Sequence, residues 1–365
     1  MRICHVMSGG LWAGAEVMGY RLLAGLAGKP KVVLSSVLMN EGELARKIRT
    51  LGVPIDIVDE THLDFFQIKK RIYEILMRKK PDIVHTHGLK ENILGYLVSR
   101  KAGLGIPLVC TQHGLDEPQR SLKRKLLSIA NRYILSKKFQ KIVVVSEGMR
   151  ITLNEKFGFS ARRLVVIPNG TEIPNCIKAD NGNRPFTIGS AGRLFPVKDY
   201  PLFVDIAAEV NKQAKDIRFE LAGDGPDHAR LFEQIRKYGL QDVFCLKGFV
   251  GGMSEFYMGL DLYINTSLHE GSPMSVLEAM SHGLPVIAPK EGGIAEMVKD
   301  GLHGFLVERR DPKRFAEKCL AIYRDRNLGK SMGIASREKV VTEYSFQSMA
   351  DRYLELYLKA LAQPR

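Results

Sequence analysis

Two glutamates eight positions apart, Glu270 and Glu278, bracket a loop-to-helix signal in Ser267-Leu268-His269-Glu270-Gly271-Ser272-Pro273-Met274. The residue before a proline avoids the α region and proline tolerates the first helical position, so Ser272 reads as an N-cap. At about 1.5 Å per residue, Glu278 then stands roughly 9 Å along the axis from the cap. Glu270 lies in front of the helix N-terminus, where unpaired N–H groups and the positive dipole end favour a phosphate. Carboxylates on either side of an anion site accept hydroxyl hydrogen bonds, which suits the two sugars of a nucleotide-sugar.

Gly192-Arg193-Leu194-Phe195-Pro196-Val197-Lys198 follows an apolar run, Phe186–Ala191. It places Arg193 and Lys198 where open α/β sheets bind ligands, at the carboxyl end of a strand. Arginine forks onto phosphate oxygens and lysine acts as a point charge, so the pair can neutralise a leaving diphosphate without a metal. Leu221-Ala222-Gly223-Asp224-Gly225-Pro226 is a second strand end, with glycines that let a ligand approach the backbone. Ser8-Gly9-Gly10 opens the first strand-to-helix turn; it is not G-x-G-x-x-G, and no acidic residue closes the next strand, so it is read as an anion-approach turn. His113 ends another strand, and His85 and His87 flank Thr86 at the end of a third. Without carboxylate or cysteine company they are expected to hold no metal.

Positioning these residues requires alternating strands and helices. Candidate strands are Arg2–Met7, Lys31–Leu38, Pro54–Val58, Asp82–Thr86, Pro107–Thr111, Lys141–Val145 and Leu164–Ile167. After a polar, turn-rich stretch the pattern restarts with Phe186–Ala191, Arg218–Ala222, Val243–Lys247, Leu260–Asn265 and Pro285–Ala288. Helical spacing marks Ala15–Leu26, Glu43–Leu51, Lys90–Lys101, Leu202–Lys215, His228–Tyr238 and Pro273–His282. Strands apolar on both faces indicate buried parallel sheets. The expected architecture is α/β, two Rossmann-like doubly wound domains facing across a cleft. The expected domains are residues 1–171 and 186–345, joined by a linker at 172–185. An apolar stripe through Phe346, Met349, Tyr353, Leu356, Tyr357, Ala360 and Leu361 predicts a terminal helix over 346–365.

With 365 residues, 45% apolar and 26% charged, the chain is globular and long enough for two cores. No run approaches the roughly 18–20 apolar residues of a membrane span, and the N-terminus lacks the pattern of a signal peptide. Five scattered cysteines without a C-x-x-C pair fit reduced thiols in a cytoplasm. The net charge of +14 is lopsided: residues 1–172 hold 28 Lys+Arg against 15 Asp+Glu. Gln119–Lys138 sets Leu122, Leu126, Ile129 and Tyr133 at helical spacing among Arg120, Lys123, Arg124, Lys125, Arg132, Lys137 and Lys138, and Ile68–Lys80 adds six more cations. This is either a basic amphipathic surface for anionic lipid or a solvated basic face whose apolar stripe packs on the core. Nucleic acid is not expected, because neither stretch interleaves aromatics with its charges.

Taken together these motifs resemble the large retaining GT-B glycosyltransferase family called family 4, also known as glycosyl transferases group 1. The resemblance runs through the glycine loop with Glu16, Val145-Ser146-Glu147-Gly148, Pro168-Asn169-Gly170, Gly192-Arg193-Leu194 with Lys198, Gly223-Asp224-Gly225-Pro226 and Glu270-x7-Glu278. Gly292-Gly293-Ile294-Ala295-Glu296 with Asp300-Gly301 and Gly304 completes it. It implies that Arg193 and Lys198 hold the donor diphosphate and that Gly225 and Pro226 line the donor site. Glu270 and the backbone of Gly271, Ser272, Pro273 and Met274 would hold the transferred sugar and phosphate, and Glu278 the ribose. Gly10 would approach the diphosphate from the other domain, His113 would lie near the reaction centre, and the terminal helix would cross back to the N-terminal domain. The implied enzyme is a retaining, metal-independent glycosyltransferase using a nucleotide-diphosphate sugar, UDP-sugar favoured. Its acceptor would be a glycan or lipid-linked unit of envelope or exopolysaccharide synthesis. No cofactor is expected; the setting is cytoplasmic, with a peripheral hold on the inner membrane face as one option. A nucleotide-sugar epimerase on the same scaffold leaves the Glu270/Glu278 spacing unexplained, and an inactive nucleotide-sugar-binding protein leaves Arg193 and Lys198 without work.

Overall fold

The computed structural model describes residues 1–10, 12–103, 105–114, 121–175 and 184–362. The middle of the expected linker, and Arg120 and the side chains of Leu122, Lys123 and Arg124 in the basic helix, lie outside the described residues. Two compact units emerge: Met1–Gly170 together with Phe346–Arg365, and Thr171–Ser345.

The first unit alternates from the start. It runs β1 (Arg2–Met7), α1 (Gly14–Leu26), β2 (Val33–Leu38), α2 (Glu43–Thr50), β3 (Ile55–Ile57) and α3 (Phe65–Lys79). It continues with β4 (Ile83–Thr86), α4 (Leu89–Ala102), β5 (Leu108–Gln112), α5 (Leu122–Lys138), β6 (Lys141–Val144), α6 (Glu147–Glu155) and β7 (Leu164–Val166). Among the described residues the strands pair in the order β3-β2-β1-β4-β5-β6-β7, and every pairing is parallel. Strands β1, β2, β4, β5 and β6 bury both faces, because helices cover both sides, while the edge strands β3 and β7 are only partly buried. Even-numbered β1 side chains (Cys4, Val6) join one core with Ile72, Leu94 and Leu135. Odd-numbered ones (Ile3, Met7) join the other with Leu22, Tyr353 and Tyr357.

The second unit restarts the pattern. It runs β8 (Thr187–Ala191), a short 3-10 turn (Pro196–Lys198), α7 (Tyr200–Asn211), β9 (Arg218–Ala222), α8 (His228–Lys237), β10 (Phe244–Gly248) and α9 (Met253–Met258). It ends with β11 (Leu262–Ile264), α10 (Met274–Ser281), β12 (Val286–Pro289), α11 (Ile294–Met297), β13 (Gly304–Val307), α12 (Pro312–Arg324) and α13 (Arg326–Glu343). Its parallel sheet is ordered β10-β9-β8-β11-β12-β13. Strand β13 was absent from the expected set; it is four residues at the sheet edge, and it starts at Gly304, whose φ of +141° and close approach to the Val286 carbonyl exclude a side chain.

The final helix, α14 (Phe346–Ala362), belongs to the first unit and packs on α1. Its stripe of Met349, Ala350, Tyr353, Leu356, Tyr357 and Ala360 is buried there. The closest approach is at Gly25, where an added Cβ would stand 2.5 Å from the Ala350 Cβ. Helix ends follow local chemistry: Asp64 and Gln67 form a reciprocal capping box at α3, and Asp325 caps α13 by accepting from Asn327 and Leu328.

The basic helix departs from one of its two expected arrangements. Leu126, Ile129 and Tyr133 are 59%, 56% and 62% exposed, so this stripe faces away from the core. The buried face of α5 carries Ser128, Asn131 and Leu135 instead, with Asn131 Oδ1 accepting from the Asn92 side chain at 3.1 Å. A polar pair satisfied inside the α4–α5 contact lets that face turn inward.

Candidate functional site

In the second unit, the ends of β8 and β9 meet through three glycines. Gly192, Gly223 and Gly225 have φ of +154°, +141° and +156°. A Cβ at Gly223 would lie 1.9 Å from the Gly192 carbonyl oxygen, and one at Gly225 2.6 Å from that of Leu194. The two loops therefore lie backbone against backbone, laced by Leu194 N donating to Asp224 O at 2.9 Å and Asp227 N to Leu194 O at 3.0 Å. Arg193 is exposed on this surface, its guanidinium 5.0 Å over the Phe195 ring. Pro226 is exposed beside it.

The loop after β11 is held in place before it reaches Glu270. Leu268 N donates to Val197 O at 2.8 Å, and Gly293 N donates to Glu270 O at 3.0 Å. Gly292, at φ +54°, lies so close that a Cβ would sit 2.5 Å from the Glu270 oxygen. Glu270 is half-buried; its Oε1 forms an ion pair with Lys198 and accepts from Ser267 Oγ at 2.7 Å. Lys198 and Glu270, predicted separately, are thus brought into direct contact.

Helix α10 begins one residue later than expected. Pro273, with φ −67° and ψ 116°, is the cap, and its carbonyl accepts from Leu277 N at 3.3 Å; Ser272 is buried just ahead of it. Proline's ring fits φ but its extended ψ keeps it outside the first turn. Gly271 and Met274 are half-buried in the same segment. Glu278 lies in the second turn, and Tyr257 on α9 donates its hydroxyl to Glu278 Oε2 at 3.0 Å. Burial, then the Glu278 charge, pushes the Tyr257 hydroxyl well above its ordinary pKa, so it stays a neutral donor. Behind Glu278, His282 Nδ1 sits 2.7 Å from the Glu278 carbonyl oxygen and its Nε2 2.9 Å from Ser254 Oγ.

Arg310, just before α12, is a residue sequence reasoning missed. It donates to the carbonyls of Thr266 and Ser267 (3.0 Å for Ser267) and to Asp199 Oδ2 at 2.6 Å. Thr266 in turn donates its hydroxyl to Lys198 O at 2.9 Å. One planar fork thereby ties the turn carrying Lys198 to the loop carrying Glu270. Its partners lie 43 to 111 residues away in sequence, so no local motif announces it.

The expected residues of the first unit sit at the carboxyl end of its sheet. Gly10 is exposed, and an added Cβ would stand 3.2 Å from the Asn40 side-chain amide. His113 follows β5; neither ring nitrogen has a partner, and burial lowers its pKa to about 4. Its ring stacks on His87 with centroids 5.7 Å apart. His87 in turn belongs to a cluster with His5 and His85, in which one ring nitrogen of each comes within 4.8 Å of the others. Burial also lowers the pKa of all three, His5 to about 3.

Comparison with known proteins matches both units. Residues 12–173 match the model for Glycosyltransferase Family 4 and residues 177–339 that for Glycosyl transferases group 1. An Escherichia coli UDP-Gal:alpha-D-GlcNAc-diphosphoundecaprenol alpha-1,3-galactosyltransferase is 28% identical over 79% of this chain and 78% of its own. A Staphylococcus aureus poly(ribitol-phosphate) alpha-N-acetylglucosaminyltransferase is 25% identical over 62% of this chain and 46% of its own length. The solved structure of Anabaena HepE with UDP-glucose superposes with a TM-score of 0.85 at 20% identity, covering 98% of this chain and 100% of that one. Two parallel doubly wound units, a terminal helix returning to the first, and both family matches in sequence order make this chain a glycosyltransferase of family 4, group 1, with the GT-B fold.

Proposed function

We propose that this glycosyltransferase is retaining and metal-independent, and that it moves a hexosyl unit from a UDP-sugar to a lipid-linked or glycan acceptor in envelope or exopolysaccharide synthesis. The observation that carries the donor reading is the joined arrangement of Lys198, Glu270 and Ser267 one loop ahead of the helix bearing Glu278. Arg193 and Lys198 neutralise the charge that grows on the leaving diphosphate, and the first-turn N–H groups of α10 add to it. Glu270 accepts from the transferred sugar and Glu278 from the ribose, with Tyr257 holding the Glu278 carboxylate in place. No protein nucleophile is assigned: Glu270 Oε1 already takes bonds from Lys198 and Ser267, which lowers its nucleophilicity. The acceptor is attacked on the face the diphosphate leaves, and a phosphate oxygen takes the hydroxyl proton. Gly10 and the neutral His113 are assigned to the diphosphate and the sugar by family resemblance. The named activity of the Escherichia coli relative supports the UDP donor and a lipid-linked acceptor, and that of the Staphylococcus aureus relative supports a polymeric acceptor.

The test is calorimetric. Glu278→Ala should weaken UDP binding by about 1.5–3 kcal/mol, typical of a lost hydrogen bond to a charged group. Unchanged affinity removes the ribose role.

An anionic membrane surface is the further partner we assign. Exposed Leu126, Ile129 and Tyr133 beside Lys125, Lys137 and Lys138 join apolar insertion to charge attraction on one helix. Among the described residues no helix is long and apolar enough to cross a membrane, so attachment would be peripheral. Ile129→Ser with Tyr133→Ser should reduce co-sedimentation with phosphatidylglycerol vesicles; equal binding by wild type and variant refutes this partner.

A further inference from the structure

Three histidines converge where the central strands of the first unit end. His5 on β1 and His85 on β4 are register partners, so they project on the same face of the sheet. His87 lies two residues beyond His85, and its N–H donates to Val6 O at 3.1 Å, continuing the strand pairing. The ring centroids are 4.1 Å apart for His85 and His87, 4.9 Å for His5 and His85, and 5.3 Å for His5 and His87. His5 and His85 are fully buried, and His87 alone of the three keeps some exposure.

As protein alone, this cluster is poorly satisfied. His5 Nδ1 faces His87 Nε2 at 3.0 Å, so one N–H serves both rings. His5 Nε2 and His87 Nδ1 are buried without a partner. Buried polar atoms left unpaired are costly, and two neighbouring rings that each keep one call for an explanation. His85 differs: Nδ1 lies 2.6 Å from the Tyr357 hydroxyl and Nε2 2.9 Å from Thr111 Oγ1, which itself meets the Tyr353 hydroxyl at 2.8 Å.

We infer that His5, His85 and His87 form a binding site for a late first-row divalent cation, zinc above all, separate from the donor residues of the second unit. Neutral imidazole is the ligand form such ions take, and nitrogen donors suit zinc, copper and nickel. At metal–nitrogen distances of about 2.0–2.1 Å a tetrahedral ion spaces its ligands roughly 3.3–3.4 Å apart. His5 Nδ1 and His87 Nε2, 3.0 Å apart, need open only slightly to reach that spacing, and His85 closes the set by rotating toward them. His85 gives up one hydroxyl contact and keeps the other as the outer partner that fixes its ring, the arrangement ligating histidines favour. The fourth position falls to water, and the His113 ring, stacked on His87, borders the cluster. The proposal differs from the expectation drawn from the sequence that strand-end histidines hold no metal, because strand pairing supplies a third imidazole, His5, from 80 residues away.

The experiment uses untagged full-length protein stripped with chelator. Cobalt(II) should bind one ion per chain with the visible bands of a tetrahedral nitrogen site, and zinc should displace it. His5→Gln and His87→Gln should each weaken zinc binding at least roughly tenfold, whereas His62→Gln, a change at an exposed histidine beside Asp59, should leave it unchanged. Circular dichroism of each metal-free variant shows that it folds. Zinc-edge X-ray absorption on wild-type protein counts imidazole ligands without any variant. No saturable binding, an oxygen-only coordination shell, or affinity that survives both His5→Gln and His87→Gln overturns the site.

Discussion

Two glycines in α1 should respond oppositely to the same substitution. In a helix, alanine is favoured over glycine by about 0.8–1.0 kcal/mol. At Gly19 an added Cβ meets only Met7, its sulfur at 2.7 Å, and an unbranched thioether swings aside at little cost. At Gly25 the Cβ meets the Ala350 Cβ at 2.5 Å and the Phe346 carbonyl oxygen at 3.0 Å. Carbon atoms pack at about 3.5–4.0 Å, so α14 must move away from α1 by roughly an ångström along this contact. Overpacking of that kind costs about 1–3 kcal/mol, which exceeds the propensity gain. Gly19→Ala is therefore expected to be neutral or stabilising, and Gly25→Ala to lose up to about 2 kcal/mol. For a unit of this size that is a fall of up to roughly 8 °C in melting temperature. Two units need not unfold together, so the sharper assay is hydrogen exchange of amides in α14, which should speed up in Gly25→Ala only. Equal stability of the two variants, or unchanged exchange in α14, refutes the argument that backbone proximity at Gly25 docks this helix.

Arg310→Lys should raise the KM for the sugar donor while leaving the melting temperature within about 1 °C, because a single ammonium cannot span Asp199 and two carbonyls as the guanidinium fork does; an unchanged KM removes the bracing role. Among the described cysteines, Cys245 is exposed and should react first with a thiol reagent. Cys4 and Cys110 are buried with pKa pushed up to about 11 and about 12, and should react only after denaturant is added, as should buried Cys319. Rapid native labelling of Cys4 or Cys110 would contradict their burial.

Much of the fold was legible because period and punctuation agree. Strand β1 falls on Arg2–Met7 as read, and most other strands differ by a residue or two at their ends. Where reading slipped, a nonlocal contact decided. Of the two arrangements open to the α5 stripe, packing on the core is not the one adopted, because Asn131 found Asn92 on α4 and turned the polar side inward. Lys198 and Glu270 could be placed at strand ends, but not in contact, because Arg310 and Gly292 set that geometry from far along the chain. His85 and His87 could be seen as strand-end histidines, whereas their meeting with His5 depends on β1 pairing with β4.

The return of α14 to the first unit also bears on how the chain comes off the ribosome. Tyr353 and Tyr357 supply the hydroxyls beside Thr111 and His85 and fill the core between β1 and α1. Until they are made, that side of the first sheet is open, with apolar surface and polar atoms awaiting partners. At about 5–20 residues per second, the intervening Thr171–Ser345 takes on the order of ten to thirty-five seconds to synthesise. The unit begun first is thus the last to close, and during that interval it is a natural client for chaperones, while the second unit can fold as it emerges.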